Sequence, residues 1–338
     1  MGHPQEFRTE PSVSPEPAIE VSYVLASCNG WHYLDACLKS LSTAGAGSYE
    51  VIVIDNASTD GTPALLGERY PQARVWVNKA NVGHCRAVNQ GIRQARGEYL
   101  AVLDGDTVVE PGATVRLIEF LRASPDAAIA APRMLNPDGT VQETARSFPA
   151  LWNGLFGRQS VLTRMFPNNP FARNYLRKDA FHSASPFAVD WVSAAFMIFH
   201  RSLPERIGLL DEGYLGYWVD ADWCKAAHAA GKVYCVPASR VIHFEQNRTG
   251  KKKGRSRILL FHSGAYRFYR KHETLGPLDP RAVLGGLAMG IRCTLLICAD
   301  WFQRADEPKS GVSATPSQES DGRQPGPSLD VHFQRGKK

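Results

Sequence analysis

From Val21 onward, short runs of apolar, β-branched residues alternate with stretches of helical periodicity. Strands and helices alternating at this spacing form βαβ units, in which helices cover a parallel sheet. The pattern therefore predicts an α/β fold with a mostly parallel central sheet and helices on both faces, and ligands at the carboxyl ends of the strands. The predicted strands are Val21–Ala26, Val51–Ile54, Val75–Val77 and Tyr99–Leu103, and the predicted helices are Tyr33–Leu41, Pro63–Arg69 and Cys85–Ala95.

The composition is that of a folded globular chain. Of the 338 residues, 43% are hydrophobic and 21% charged, which allows a sizeable core and excludes a mostly disordered chain or a polytopic membrane protein. The seven cysteines are scattered and contain no Cys-x-x-Cys pair, so the sequence predicts neither a disulfide framework nor a zinc site. A reducing cytoplasm fits this cysteine usage best.

The composition also divides the chain into four stretches. Residues 1–20 are polar and contain prolines, and we expect a disordered leader rather than a secretory signal. Residues 21–245 hold the alternating pattern and are expected to form the α/β domain. Residues 246–304 combine a basic segment with an apolar helix. Residues 305–338 are rich in Ser, Pro, Gly and charge, so we expect a disordered tail.

The second half of the α/β region has weaker patterns. Residues 148–187 are rich in aromatic residues, Asn and Pro, which predicts irregular structure. A second apolar run, Val189–Phe199, follows. Asp220–Ala230 has helical character, and Gly231 is a candidate C-cap for that helix.

Two aspartates, Asp104 and Asp106, directly follow the apolar run that ends at Leu103. Carboxylates at the carboxyl end of a strand point toward one ligand site. Mg²⁺ and Mn²⁺ bind carboxylate oxygens together with a substrate phosphate. The pair therefore predicts a divalent metal site, with a surface turn as the alternative because Asp-Gly pairs are common turn formers.

Polar segments also follow the other predicted strands. They are Ser27–Gly30, Asp55–Gly61 and Asn78–Gly83. The second segment could simply lead into a helix N-cap, and the third could be only turn residues. Asn89 could likewise be only a polar position on a helix. These residues gain weight in combination, because all of them are expected at one edge of the sheet.

The ordered set of blocks resembles the family 2 glycosyltransferases, inverting enzymes of the GT-A fold, and in particular the bacterial rhamnosyltransferase-like members that build cell-surface polysaccharides. The resemblance covers about Val21 to Phe244, roughly two thirds of the chain, and its specificity comes from the order of eight or more blocks. The matching residues are Asn29, Asp55-Asn-x-Ser-x-Asp-Gly61, Asn78-x-x-Asn-x-Gly83, Asn89-x-Gly91, Gly97-Glu98-Tyr99, Asp104-Gly-Asp106, Val192–Ala195, Leu210-Asp-Glu212, Tyr217-x-x-Asp-x-Asp-x-Cys224, Gly231 and Val241-Ile-His243.

The resemblance implies a Rossmann-like nucleotide-binding half at residues 21–133 and an acceptor half at residues 134–245. It implies Mn²⁺ or Mg²⁺ as the cofactor, with Asp106 and His243 as metal ligands, although His243 could also be a structural imidazole. Asp55 is implied at the nucleotide base or ribose, and Asp104 at the ribose or metal. The full set of implied substrate-binding residues is Ser27, Asn29, Asp55, Asn56, Ser58, Asn81, Gly83, Asn89, Asp104 and Asp222.

An inverting displacement needs one base that accepts the proton of the attacking hydroxyl. The family supplies it from an acidic pair, usually Glu-Asp, at the start of a helix. This chain has Val219-Asp220 instead, so the first acid is missing and Asp220 is the implied catalytic base. Asp222 is the alternative base, and a role of Asp220 as a helix cap remains open.

The basic and apolar segments near the C-terminus point to a membrane. The run Arg248–Arg257 could bind nucleic acid, anionic lipid or the donor's pyrophosphate, or could be a solvated loop. Ala282–Phe302 is apolar apart from Arg292 and Asp300, which makes a spanning helix marginal. We expect a helical, membrane-associated extension in the headgroup region of an anionic inner leaflet, with packing on the α/β domain as the alternative.

The expected function is an inverting, metal-dependent glycosyl transfer. The donor is expected to be a dTDP- or UDP-linked sugar, with rhamnose as a candidate, and the acceptor a glycan or a polyprenyl-linked glycan. The protein is expected to be peripheral on the inner face of the cytoplasmic membrane and to bind no nucleic acid. The alternative is a catalytically silent module that binds nucleotide sugars or polyanions. The sequence has no Walker motif, which disfavours an ATPase.

Overall fold

The computed structural model describes residues 18–148, 183–245 and 254–305. The expected leader up to residue 17, most of the expected irregular stretch and of the basic run, and the tail after residue 305 lie outside these described residues. Internal contacts divide the chain into two units. The first comprises the chain up to Leu215 together with Val219–Phe244, and the second comprises Gly216–Trp218 and the chain from Glu245 onward.

The first unit alternates strands and helices as the sequence pattern predicts. The seven elements predicted before Leu103 are all present, with bounds that shift by at most two residues. The strands are β1 (Val21–Ser27), β2 (Tyr49–Asp55), β3 (Arg74–Val77), β4 (Tyr99–Asp104), β5 (Thr107–Val109), β6 (Ala127–Leu135), β7 (Ala145–Arg146), β8 (Phe187–Val189), β9 (Trp191–Val192), β10 (Phe196–His200) and β11 (Lys232–His243). Among the described residues of this unit, the helices are α1 (Trp31–Leu41), α2 (Thr62–Arg69), α3 (His84–Gln94), α4 (Ala113–Ala123), α5 (Leu203–Ile207) and α6 (Val219–Ala227).

The central sheet has the strand order β3-β2-β1-β4-β10-β6-β11-β5, and β8 also pairs with β11. Strands β3, β2, β1 and β4 are parallel to one another. Strand β10 is antiparallel to both β4 and β6. The α/β class is confirmed, and the sheet is mixed beyond β4, because β10 enters between β4 and β6 in the opposite direction.

Helices cover both faces of the parallel part. Alternate residues of β1 face opposite sides, as strand geometry requires. Tyr23 and Leu25 belong to the core cluster that includes Leu34 of α1 and Leu117 of α4. Val24 points to the other face, where Gly91 of α3 lies against it. Strand β1 is therefore buried on both sides, which explains its continuous apolar run.

Helix α6 ends earlier than the sequence pattern predicts. Its last residue is Ala227, and turns extend the chain to Ala230. The Gly231 amide donates a hydrogen bond to the Ala227 carbonyl (3.0 Å), but Gly231 does not have a positive φ. A Cβ at Gly231 would lie 2.7 Å from the Asp126 carbonyl oxygen. Glycine is therefore required at this position because two backbones approach closely, and not because the helix ends in a left-handed cap.

The second unit contains two long helices, α7 (Arg255–Glu273) and α8 (Pro280–Ala305). Helix α8 packs on α7, and Gly285 lies against the ring of Tyr269. In the middle of α8, the Arg292 guanidinium donates to His262 Nε2 of α7 (2.8 Å). Of the described helices, one, over Pro280–Trp301, is long and apolar enough to cross a membrane, and 11% of its most apolar window is buried.

Gly91→Ala tests the packing of α3 on β1. A Cβ at this position would lie 2.4 Å from Val24 Cγ1, in a core that cannot yield freely. Overpacking costs about 1–3 kcal/mol, which exceeds the roughly 1 kcal/mol that alanine gains over glycine in a helix. We expect a lower free energy of unfolding, measured by urea denaturation.

Gly67→Ala is the matched control, because Gly67 is exposed within α2 and a Cβ there meets nothing within 4 Å. It should raise the free energy of unfolding by up to about 1 kcal/mol. Equal effects at the two glycines would contradict the close packing of α3.

Candidate active site

The parallel register brings three strand ends to one edge of the sheet. Ser27 at the end of β1 pairs with Asp55 at the end of β2, and Ala26 pairs with Asp104 at the end of β4. Ser27 is buried, and its carbonyl accepts a hydrogen bond from the Asn56 amide (2.7 Å). The polar segments that follow these strands therefore lie side by side.

The first two of these segments brace each other. Asn29 has a left-handed backbone (φ 51°), which asparagine tolerates better than most residues. Its amide donates to Ser58 Oγ (2.8 Å), and its side-chain Oδ1 accepts from the Thr59 amide (2.7 Å). Asn29 and Ser58 thus hold the first two segments together through direct contact. These two segments form a rim at this edge of the sheet.

Asp55, the last residue of β2, is fully buried. Its Oδ1 accepts from the Ser58 amide (2.9 Å), whereas Oδ2 is buried and receives no hydrogen bond from any described residue. A buried carboxylate oxygen without a donor is costly. Asp55 Oδ2 therefore has unused capacity to accept a hydrogen bond.

The third segment is fixed by a network of amides around Asn56, which is 4% exposed. Its Nδ2 donates to Asn81 Oδ1 (2.9 Å), and its Oδ1 accepts from Asn78 Nδ2 (3.2 Å) and from the Val82 amide (2.9 Å). Asn81 Oδ1 also accepts from the Gly83 amide (2.9 Å), where the backbone has φ 90°. These contacts shape the loop before α3.

Asp104, Asp106 and His243 converge in a cluster that could hold a metal ion, with one ligand atom from each lying within 4.8 Å of the others. The pairing of β5 with β11 sets His243 opposite Thr107, next to Asp106, and His243 Nε2 lies 3.3 Å from Asp106 Oδ1. Enclosure raises the pKa of Asp104, with His84 opposing and Asp106 adding to the shift. Two carboxylates and an imidazole match the donor set of a divalent cation such as Mn²⁺. The residues present therefore fit the implied metal.

Two neighbours of this cluster, His84 and Gln142, are not among the site residues predicted from the sequence. His84, the first residue of α3, has its Nε2 4.0 Å from Asp104 Oδ1, and its place directly after the Asn-x-Gly83 block was a signal that could have found it. Gln142 is 3% exposed and contacts His243, with a side-chain oxygen 3.0 Å from Nδ1. No sequence pattern marks Gln142.

Asp220 lies near the start of α6, directly after Val219, which is buried where the family places its first acid. Burial raises the pKa of Asp220 from 3.8 to about 6, opposed by the Ala221 amide and Arg146 and assisted by the charge of Asp104. Since the charge of Asp104 affects Asp220, the two carboxylates are within electrostatic reach. A carboxylate with a pKa near 6 can accept a proton near neutral pH.

Asp222 and Asn89 lie in the protein interior. Asp222 is 3% exposed, and its Oδ1 accepts from the Tyr214 hydroxyl (3.1 Å). Asn89 is 1% exposed, donates to the Leu210 carbonyl (2.9 Å) and accepts from the Leu210 amide (3.0 Å). In this structure both side chains hold the segment that precedes α6.

Comparison with other proteins places this geometry in a family. The sequence model of "Glycosyl transferase family 2" matches residues 22–192. An N-acetylglucosaminyl-diphospho-decaprenol L-rhamnosyltransferase of Mycobacterium tuberculosis is 32% identical over 249 residues, which cover 70% of this chain and 79% of that protein. The succinoglycan biosynthesis protein ExoO of Rhizobium meliloti is 34% identical over 110 residues, 32% of this chain and 31% of that protein.

Solved structures show the same fold at low identity. The mannosyltransferase PcManGT from Pyrobaculum calidifontis, in complex with GDP-Man and Mn²⁺, has a TM-score of 0.53 at 17% identity, covering 87% of this chain and 77% of that one. GalNAc-T7 with UDP, GalNAc and Mn²⁺ has a TM-score of 0.52 at 16% identity, covering 87% of this chain and 59% of that one. The chain thus belongs to glycosyltransferase family 2, as a rhamnosyltransferase-like enzyme.

Proposed function

We propose that the protein is an inverting, metal-dependent glycosyltransferase that moves a sugar, with rhamnose as the candidate, from a dTDP- or UDP-linked donor to a glycan or polyprenyl-linked acceptor in cell-surface polysaccharide synthesis. The observation that carries the proposal is the Asp104, Asp106 and His243 cluster within electrostatic reach of a carboxylate, Asp220, whose pKa is raised to about 6. The match to the M. tuberculosis rhamnosyltransferase supports the choice of sugar and acceptor.

The donor's nucleoside is assigned to the rim formed by the first two polar segments. Asp55 Oδ2 is the acceptor for a base N–H or a ribose hydroxyl, because it is buried and receives no hydrogen bond from the described residues. Asn29 and Ser58 keep the rim in shape through their mutual hydrogen bond. A rim held by its own contacts loses little conformational entropy on binding.

The donor's diphosphate is assigned to the cluster of Asp104, Asp106 and His243. These side chains would hold Mn²⁺ or Mg²⁺, which when bound offsets the charge of the diphosphate and of the departing nucleoside diphosphate. Without a cation, two carboxylates beside an anionic diphosphate would repel it. The three residues therefore bind and orient the leaving group only in combination with a cation.

Asp220 acts as the base in a single displacement. Its carboxylate accepts the proton of the acceptor hydroxyl as that oxygen forms a bond to the anomeric carbon. The bond from the anomeric carbon to the diphosphate oxygen breaks in the same step, and its electron pair leaves with the nucleoside diphosphate. Attack opposite the leaving group inverts the anomeric centre.

The acceptor's lipid is the reason to propose a membrane partner. Helix α8 exposes a series of large apolar side chains, among them Leu284 (66% exposed), Leu287 (60%) and Ile291 (62%). Arg292 would make a spanning helix costly, although its bond to His262 reduces that cost. We therefore place α7 and α8 in the headgroup region of an anionic membrane, with the enzyme peripheral on its cytoplasmic face.

Asp106→Ala should abolish metal-dependent donor binding. In thermal-shift titrations with a panel of nucleoside diphosphates and nucleotide sugars, we expect a Tm increase for the wild type with a dTDP- or UDP-linked ligand, and only with Mn²⁺ or Mg²⁺ present. The variant should lose that increase because one ligand of the cation is gone. A folded wild type that responds to no nucleotide would favour a catalytically silent module.

Asp220→Asn should remove turnover and leave donor binding nearly intact, because only proton transfer is lost. In the wild type, kcat should fall as the pH drops through about 6, since the base must be deprotonated to accept a proton. A cation that neutralises Asp104 shifts this midpoint downward. Transfer is measured as nucleoside diphosphate released in the presence of acceptor.

Asp222→Asn is the matched comparison for that variant. An asparagine oxygen can still accept from the Tyr214 hydroxyl, so this change should preserve transfer in folded protein. If Asp222→Asn lost turnover and Asp220→Asn retained it, the two roles would have to be exchanged.

Leu287→Glu combined with Ile291→Glu should release the protein from vesicles that contain phosphatidylglycerol. Each of these side chains contributes about 1.5–3 kcal/mol when fully buried in an apolar phase, so a loss of at least tenfold in vesicle affinity is expected. Co-sedimentation measures the affinity, and wild-type binding should weaken with salt.

Arg93→Gln combined with Arg116→Gln is the control, because it changes the net charge equally at exposed sites of the first unit. It should bind vesicles nearly as the wild type does. Retention of the Leu287 and Ile291 variant on vesicles would argue against the membrane role and for a helix that packs on protein.

A further inference from the structure

We propose that Gln142 is a positioning residue for the metal site, which fixes the tautomer and the orientation of His243. This inference rests on the proposed metal-dependent function and extends it to a residue outside the expected ligand set. It starts from a pair of contacts: Gln142 Nε2 donates to the His243 carbonyl (2.8 Å), and Gln142 Oε1 lies 3.0 Å from His243 Nδ1. The Gln142 side chain thus contacts both the backbone and the imidazole ring of His243.

The backbone contact determines which end of the Gln142 amide faces the ring. A carbonyl oxygen can only accept hydrogen bonds, so the group that faces the His243 carbonyl has to be the NH₂ of the amide. The other end, Oε1, is an acceptor and therefore requires a proton on His243 Nδ1. In a neutral imidazole one nitrogen carries the proton, so Nε2 is left with its lone pair.

That lone pair is directed at the acidic cluster. His243 Nε2 lies 3.3 Å from Asp106 Oδ1, and both side chains are largely enclosed, at 12% and 14% exposure. Two acceptor atoms at this separation repel each other unless a cation or a proton lies between them. By holding the proton on Nδ1, Gln142 makes Nε2 a ligand atom on the side of Asp104 and Asp106.

Gln142 is itself held in place before any ligand arrives. It is 3% exposed. Its backbone N–H donates to the Met134 carbonyl (2.8 Å), and its backbone carbonyl accepts from the Thr144 N–H (2.8 Å). The neighbouring Val141 forms a bridge with Leu135 at the end of β6. Partners beyond the metal's own ligands act in this way in metal sites, and their loss typically costs 10–100-fold in metal affinity.

The first experiment measures Mn²⁺ affinity by calorimetry for full-length wild type, Gln142→Leu and Gln142→Glu. The leucine removes both contacts, and we expect a 10–100-fold weaker affinity. The glutamate restores an acceptor for His243 Nδ1–H but not the donor to the His243 carbonyl, so it should recover part of the affinity. Ser239→Ala is the matched control. Ser239 lies on β11, as His243 does, and its buried hydroxyl donates to the Ala113 carbonyl (2.9 Å) rather than to His243. Its Mn²⁺ affinity should equal that of the wild type.

The second experiment reads the tautomer without metal. Long-range ¹H–¹⁵N spectra of histidine-labelled, metal-free protein, recorded at alkaline pH and assigned with His243→Gln, report which ring nitrogen is protonated. The wild type and Gln142→Glu should show Nδ1–H at His243. Gln142→Leu should show a substantial fraction of Nε2–H, a change that a general loss of stability does not produce.

Either of two results overturns the inference: Gln142→Leu binds Mn²⁺ as tightly as the wild type, or His243 keeps the Nδ1–H tautomer in that variant. Failure of the proposed function shows elsewhere, as wild-type protein that binds Mn²⁺ but transfers no sugar. The role of Gln142 and the identity of the reaction are thus tested by separate readouts.

Discussion

The parallel pairing of β1 with β2 and β4 is the constraint on which the site depends. It aligns Ser27 with Asp55 and Ala26 with Asp104, so that each loop leaves the sheet at the same edge. A shift of one residue would turn every side chain of β1 to the opposite face, and both faces are packed against helices. The apolar core therefore fixes the register, and the register fixes the position of the acidic groups.

Enclosure of these acidic groups determines what they can do. Burial raises the pKa of Asp220 to about 6, and the charge of Asp104 adds to this shift. Asp55 keeps one oxygen buried without a donor from the described residues. Such arrangements cost stability, and proteins retain them where a ligand or a proton transfer offsets that cost. These features support the proposed binding of a donor and a cation at this edge of the sheet.

In the second unit, a hydrogen bond between the two helices accommodates an arginine within an apolar helix. Arg292 lies in the middle of α8 and donates to His262 of α7, whose Nδ1 in turn lies 2.7 Å from the Ile258 carbonyl. The exposed apolar side chains of α8 include Leu284, Leu287, Ile291 and Leu295, which lie three or four residues apart and so share one side of the helix. An exposed apolar surface of this kind supports the proposed membrane contact of α8.

The sequence by itself determined the α/β class, the first seven elements and the order of the polar blocks, because apolar periodicity and strand-end polarity are local properties. It also marked Asp104, Asp106 and Asp220. Only the tertiary structure decided that β10 enters antiparallel and that β5 pairs with β11 to bring His243 against Asp106. It alone showed Gln142 behind His243, and Asn89 and Asp222 holding neighbouring backbone and side chains. Apart from the bond between Tyr214 and Asp222, these contacts join residues far apart in the chain, and no local pattern encodes such pairings.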